Sequence, residues 1–143
     1  MKSRTWKPIQ KFLGKPWILK TILFEPLRWR KPWKVDVVEP FREDVPFQMI
    51  DHVFAVMALC PQHIFQITTM FPQRMQEYIN TPDRDETIGW LAHEYYERFG
   101  GNYKYVPALV TREGTISNVS LQPHEKAWPL PNVQIEIGVV DKT

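Results

Sequence analysis

The clearest pattern of apolar positions lies in residues 47–57, where large side chains recur every three or four residues. This spacing predicts an amphipathic helix, whose apolar positions are Phe47, Ile50, Val53, Phe54 and Met57. Asp44 is the predicted N-cap, with Pro46 in the first turn. Because Pro61 disfavours helix at the residue before it, the helix should end at Leu59 or Cys60. We expect its apolar face to pack against Ile64, Ile67 and Ile135.

Two further helices are predicted downstream of this one. The first is short and begins at Pro72. The second begins at Asp83, because Asp83 and Glu86 have the spacing of a capping box and apolar residues follow on one face. The pair Gly100-Gly101 should end that helix.

Short runs rich in β-branched residues predict strands over residues 33–39, 63–69 and 133–140. Two more runs flank Arg112-Glu113-Gly114 and indicate a β-hairpin, covering residues 103–110 and 115–121. The first 16 residues show neither period, and we expect them to be irregular or a short helix. Residues 18–24 are compatible with either a strand or a helical turn.

The order of these elements favours an α/β fold with a small, mostly parallel sheet, flanking helices and an added β-hairpin. The chain has 143 residues, which suffices for one ordinary domain with a real core. By composition it divides into a basic, Trp-rich arm (residues 1–34) and an α/β domain (residues 35–143).

Charge is distributed unevenly along the chain. Residues 1–34 hold ten basic residues and one acidic residue, a net charge of +9, whereas the rest holds eight basic and fifteen acidic residues, a net charge of −7. Four of the six tryptophans also lie in the first 34 residues. Interleaved Trp and Lys/Arg can bind nucleic acid, because cations meet phosphates while rings stack on bases. The alternative is that the basic arm folds back on the acidic body and buries its indoles there.

The candidate contact residues come from this basic, aromatic stretch: Trp17, Arg28, Trp29, Arg30, Lys31 and Trp33. In an extended segment, Arg28 and Arg30 point away from the face that carries Trp29. The two arginines either pair with acids of the same chain, such as those in residues 83–86, or stay exposed as a contact site. We favour exposure, because Glu25 is the one acid in the arm.

Catalytic motifs are not evident. The six glycines are scattered rather than gathered in a phosphate-binding loop, and the single cysteine, Cys60, cannot form an intrachain disulfide. Its most plausible role is that of a buried residue at a helix end. Glu97 rather than a histidine lies four residues after His93, so the paired histidines of a zinc hydrolase are missing. We predict no catalytic, cofactor-binding or metal-binding residue. No apolar run is long enough to span a bilayer, and we expect a cytoplasmic protein without a membrane partner.

Several strings of residues together resemble one family, the phage-encoded radical-SAM-like proteins known as gene products thirty-seven and sixty-eight. They are EPLRWRKP at 25–32, EDVP at 43–46, VFAVMA at 53–58, CPQH at 60–63, FQ at 65–66, Pro72 with Arg74-Met75, and WPLPNV at 128–133. Their order and rough spacing agree over about residues 20–137. The resemblance implies a partial (β/α) barrel and a [4Fe–4S] cluster that cleaves S-adenosylmethionine to form a radical.

The departures from that family lie where its chemistry is expected. The three-cysteine segment has no counterpart in the basic arm, and strand-end positions that are polar in relatives are apolar here, at residues 37–41 and 70–71. The match also degrades after Val133, so the chain resembles part of an enzyme fold without its active site.

We therefore expect a non-catalytic phage or mobile-element accessory protein that binds a host protein or ribonucleoprotein complex. An anti-CRISPR or other anti-defence inhibitor is the specific form of this expectation. The alternatives are a nucleic-acid-binding module that uses the N-terminal arm and a remnant radical-SAM-type enzyme. Because an open barrel fragment exposes sheet edges, a homo-oligomer is a further expectation.

Overall fold

A computed structural model describes residues 2–102, 109–111, 114–116 and 129–138. The described strands are β1 (Ser3–Trp6), β2 (Ile9–Phe12), β3 (Lys15–Ile18), β4 (Lys34–Val37), β5 (Ile64–Thr69), β6 (Leu109–Thr111), β7 (Gly114–Ile116) and β8 (Val133–Ile137). The helices are α1 (Lys20–Leu23), α2 (Phe47–Ala58), α3 (Pro72–Asn80) and α4 (Arg84–Phe99), with a 3-10 helix at Glu25–Arg28.

Four of these strands form a parallel sheet in the order β1-β4-β5-β8. Antiparallel pairs join β2 to β3 and β6 to β7. The predicted α/β fold is thereby confirmed, and in the described part of the chain the four parallel strands form an open sheet rather than a closed barrel. Each parallel step is made through a connection that contains helix, as the βαβ geometry requires.

One face of the sheet carries the core. Val35 and Val37 of β4 align with Phe65 and Ile67 of β5, and all four side chains are buried. The other face is polar and largely exposed along its length, with side chains such as Lys34, Asp36 and Thr68. Ile64 belongs to this second face, because side chains alternate along a strand. The expectation that Ile64 packs under α2 is therefore wrong, whereas Ile67 and Ile135 belong to the core cluster or pack against it.

Helix α2 follows the predicted pattern closely. Ile50 and Met57 are fully buried and Phe54 is 1% exposed, as predicted, whereas Phe47 is half-buried and packs against the core from its border. The helix ends at Ala58, one residue short of the predicted end. Its N-cap residue is Pro46 and not Asp44, because the helix begins at Phe47; the Asp44 carboxylate pairs instead with Lys11, 2.9 Å away.

The later helices begin and end close to their predicted bounds. Pro72 opens α3, Asp83 is the N-cap residue of α4, and Gly100, with φ +80°, ends α4. Asp83 has a positive φ and makes no side-chain cap hydrogen bond, so the predicted capping box does not form.

The N-terminal segment folds against the rest of the chain. Strand β1 forms one edge of the sheet beside β4, and the fully buried Trp6 donates its indole N–H to the carbonyl oxygen of Ile22 at 2.8 Å. The expected irregular or short-helix structure over residues 1–16 is therefore wrong: the segment holds β1 and most of a two-stranded hairpin. Of the two structures considered for residues 18–24, the helical turn is correct, as α1.

Strands β6 and β7 lie within the two runs predicted as a hairpin. The remaining residues of that prediction, 103–108, 112–113 and 117–121, lie outside the described part of the chain.

Candidate interaction surface

A stacked arrangement of one arginine and two tryptophans lies near the amino-terminal edge of the sheet. The Arg4 guanidinium carbon is 4.6 Å from the ring centroid of Trp29 and 4.4 Å from that of Trp33. Both indoles are half-buried, and within the described residues Arg4 has no ion pair with an acidic side chain. The guanidinium is therefore held in place by ring faces, and its charge is not neutralised there by a carboxylate.

Three exposed cations extend this arrangement: Arg28, Arg30 and Lys31. Together with Arg4, Trp29 and Trp33 they are called here the basic–aromatic surface. Arg28 and Arg30 form no ion pair with a described acidic residue. At the start of α4, where the alternative partners of the two arginines lie, Arg84 forms an ion pair with Asp51 on α2. The exposure expected for the two arginines is thus what the described part of the chain shows.

Trp17, the remaining candidate contact residue, belongs to a different element. It lies half-buried on β3 and lines a surface hollow of about 600 Å³ together with Phe12 and Leu13 of the hairpin. Its indole N–H is buried and has no partner among the described atoms. Arg4, which the sequence patterns did not single out, takes part in the surface because the register sets it opposite Val35 at the start of β4.

His63 fixes the segment that carries the two tryptophans. The imidazole is fully buried; its Nδ1 accepts a hydrogen bond from the backbone N–H of Trp33, and its Nε2 donates to the carbonyl oxygen of Pro26, both at 3.1 Å. The Trp29 ring meets the imidazole edge-on, with centroids 5.8 Å apart. Burial lowers the pKa of His63, which keeps the ring neutral and leaves Nδ1 free to accept.

Asn132 makes a similar junction on the other side of β5. Its side-chain amide donates to the carbonyl oxygens of Met57 at 2.9 Å and Cys60 at 3.0 Å, at the carboxyl end of α2. The backbone carbonyl oxygen of Asn132 accepts a hydrogen bond from the backbone N–H of Phe65 at 2.8 Å. The strings EPLRWRKP, CPQH and PLPNV, distant in sequence, therefore meet at the amino-terminal edge of the sheet. There they hold the strands and helices together.

At the carboxyl-terminal edge of the sheet, where parallel α/β folds usually bind substrates, the polar groups that end β4 and β5 form hydrogen bonds with one another. The Glu39 carboxylate accepts from the Thr69 hydroxyl at 2.8 Å, the Met70 backbone N–H at 2.9 Å and the Phe41 backbone N–H at 3.3 Å. Val38 and Met70 stand at this edge as exposed apolar side chains. Glu39 therefore serves to join the ends of β4 and β5.

The residues of this chain do not fit the [4Fe–4S] cluster that the resemblance implies. Such clusters are held by several cysteine thiolates, and the chain has one cysteine. Cys60 is fully buried, as expected, and burial raises the pKa of its thiol to about 12. Among the described residues, no group of three or more His, Cys, Asp or Glu side chains is placed to hold a metal ion.

The fold and its surface define an α/β protein with an open parallel sheet and a basic–aromatic surface at the amino-terminal edge of that sheet. The chain belongs to the DUF5131 family, a family of unknown function whose model matches residues 3–143. No curated protein and no solved structure matches it significantly. In the described part of the chain, no helix is both long and apolar enough to cross a membrane.

Proposed function

We propose that the protein acts by binding a partner macromolecule through the basic–aromatic surface and not by catalysis. The observation that carries the proposal is the Arg4 guanidinium held between Trp29 and Trp33, with no described acid as partner. A stacked arginine has lost much of its rotamer freedom before it meets a ligand, so less entropy is lost on binding.

An acidic protein surface suits this site better than a nucleic acid does. Stacking on bases requires open indole faces, and Arg4 covers one face of each tryptophan. The cations that remain exposed, Arg28, Arg30 and Lys31, can each meet a carboxylate. Arginine and tryptophan are also the residue types that dominate protein–protein contacts energetically.

The resemblance to phage proteins supports a partner in the cytoplasm of a host cell, either a protein or a ribonucleoprotein complex. In this proposal the protein is a phage or mobile-element accessory factor. Its most specific form is an inhibitor of a host defence complex, such as an anti-CRISPR.

The test is capture of partners from host lysate by the tagged full chain, with and without nuclease. The double variant Arg28→Ala/Arg30→Ala removes two exposed charges from the surface. The double variant Lys20→Ala/Arg98→Ala removes two exposed charges elsewhere and serves as the matched control. We expect a protein partner that survives nuclease, is retained by the control and is lost from the Arg28/Arg30 variant with an unchanged melting temperature. Equal capture by both variants would contradict the proposal.

The second candidate function is nucleic-acid binding through the same cations, and salt dependence distinguishes the two. A protein that neutralises several phosphates loses about 10³–10⁵ in affinity between 50 and 200 mM salt. Partners that all disappear on nuclease treatment, together with such a steep salt dependence, would favour the nucleic-acid candidate.

A further inference from the structure

The tip of the β2–β3 hairpin places two large apolar side chains in solvent. Phe12 is 67% exposed and Leu13 is 88% exposed. Leu13 and Gly14 form the two-residue turn of the hairpin, with positive φ values of 51° and 78°, and Phe12 is the last strand residue before it. Turns of this type favour Asn or Asp before the glycine, because a leucine is strained in the left-handed region.

Leu13 therefore destabilises the isolated chain in two ways: its backbone conformation is strained, and its apolar side chain is exposed to solvent. An asparagine would remove both penalties. A strained and exposed leucine at a hairpin tip points to a contact that compensates for both penalties.

A complementary hollow lies at the carboxyl-terminal edge of the sheet, beside the hairpin. It measures about 510 Å³ and is lined by the apolar residues Met70, Phe71 and Pro72 and the acids Glu43 and Glu77. Arg74 also lines it, but its guanidinium donates to the carbonyl oxygens of Arg42 and Val45. Met70 is 45% exposed, so the chain's own hairpin tip does not fill the hollow.

The hairpin and the hollow match in charge as well as in polarity. Lys15, which forms no ion pair with a described acid, follows the apolar tip, and Glu43 and Glu77 line the hollow; Lys11 already pairs with Asp44 of its own chain. The ion pair from Lys11 to Asp44, at 2.9 Å, sets β2 next to the segment that carries Glu43. The hairpin tip and the hollow thus lie next to each other at the carboxyl-terminal edge of the sheet. Two copies related by a twofold axis can therefore each insert the tip into the hollow of the other.

We propose that this edge is a self-association surface, in which the Phe12-Leu13 tip of each copy enters the Met70–Glu77 hollow of a second copy. The surface uses the carboxyl-terminal edge of the sheet, so it leaves the basic–aromatic surface at the other edge accessible. It stands independently of the proposed partner-binding function.

The experiment measures the mass of the full chain in solution by sedimentation and light scattering, from low to high micromolar concentration. The wild-type protein should be a reversible dimer. Leu13→Asn should weaken dimerisation by about 100-fold, since two leucines leave the interface. The same variant, at a concentration where both proteins are monomeric, should melt about 2–4 °C higher, because the strain of the turn is relieved.

Glu77→Lys provides a second variant that leaves the hairpin untouched. It should weaken the dimer, whereas Glu97→Lys, an exposed acid on α4, should leave the dimer unchanged. A wild-type protein that is monomeric at every concentration overturns the proposal, as does a Leu13→Asn variant that dimerises like wild type. Monomers that bind vesicles of phosphatidylcholine and phosphatidylserine only when Leu13 is present would also overturn it, and would identify a membrane-binding tip.

Discussion

The side-chain amide of Asn132 donates a hydrogen bond to the backbone carbonyl oxygen of Cys60 at 3.0 Å, across 72 residues of sequence. The same amide nitrogen also donates to the carbonyl oxygen of Met57. Met57 lies in the last turn of α2 and Cys60 just beyond it, and each of these carbonyl oxygens also accepts one backbone N–H, from Cys60 and from His63 respectively, at 3.1 Å. Asn132 thus adds a second donor to both carbonyls where α2 ends. A residue just before the last described strand thereby fixes the helix that precedes β5.

Replacing Asn132 should show how much this junction contributes. Asn132→Ala removes two hydrogen bonds of about 0.5–1.5 kcal/mol each, so we expect a loss of about 1–3 kcal/mol of unfolding free energy. Asn132→Asp should cost more at neutral pH, because a carboxylate cannot donate and would face two carbonyl oxygens. Urea denaturation of the two variants at pH 7 and at pH 5 checks this. An Asp variant as stable as wild type would contradict the donor role.

Acid should destabilise the protein through His63. Burial lowers the pKa of this histidine below its ordinary value of 6.5, so the unfolded chain takes up a proton before the folded chain does. The stability that neutral His63 contributes is therefore fully present above pH 6.5. As the pH drops from 6.5 towards the pKa of the folded state, the free energy of unfolding falls by up to about 1.4 kcal/mol per pH unit. Protonation of Nδ1 would also break its hydrogen bond from Trp33.

Unfolding free energies between pH 8 and pH 5 test the role of His63. His63→Gln should lower stability at pH 7 but flatten the acid limb. His52→Gln should flatten the limb in part, because burial lowers the pKa of His52 as well. An acid limb of the same steepness in His63→Gln and wild type would refute the assignment.

Asp51 and Arg84 form a buried ion pair, and replacing either residue should strongly destabilise the protein. Asp51 is 2% exposed; its carboxylate accepts from Arg84 at 2.8 and 2.9 Å and from the Tyr78 hydroxyl at 2.7 Å. Arg84→Met leaves a buried carboxylate without its counter-charge and should cost about 3–5 kcal/mol. Arg98→Met, which removes an exposed pair with Glu94, should cost at most about 0.5 kcal/mol. If chemical denaturation shows that the two variants lose a comparable free energy of unfolding, burial does not determine how much the ion pair contributes to stability.

Phe54 provides the test of the core beneath α2. Its ring lies 5.2 Å from the Tyr78 ring and 6.3 Å from the Phe41 ring, measured between centroids, and is almost fully buried. Phe54→Ala should therefore cost about 3–5 kcal/mol. Trp90→Ala, at a half-exposed position on α4, should cost much less. The comparison requires only thermal or urea unfolding curves, and a small loss at Phe54 would mean that the helix face is assigned wrongly.

Sequence reasoning succeeded where the signal was local. The spacing from Phe47 to Met57, bracketed by Pro46 and Pro61, predicts α2 to within a residue or two at each end, and β-branched runs predict β4 and β5. It failed for β1, because a four-residue edge strand acquires its structure from pairing with β4, some thirty residues away. The same non-local register brings Arg4 to Trp29 and Trp33, so the centre of the basic–aromatic surface was missed while its exposed arginines were found.

The contact of Arg4 with two indole rings leads to a prediction that distinguishes the contribution of its charge from that of its planar shape. A guanidinium gains from planar contact with each ring, whereas an ammonium keeps the charge but loses the planar contact. At about 0.5–1 kcal/mol per ring, Arg4→Met should cost about 1–2 kcal/mol, and Arg4→Lys should fall between Met and wild type. Urea denaturation gives the order, and near-UV circular dichroism of the tryptophans reports whether the indoles keep their packing. If Arg4→Met is as stable as wild type with an unchanged tryptophan spectrum, the stack contributes nothing to the fold. Arg4 would then be held by its backbone strand alone, without the ordering that the proposed contact site requires.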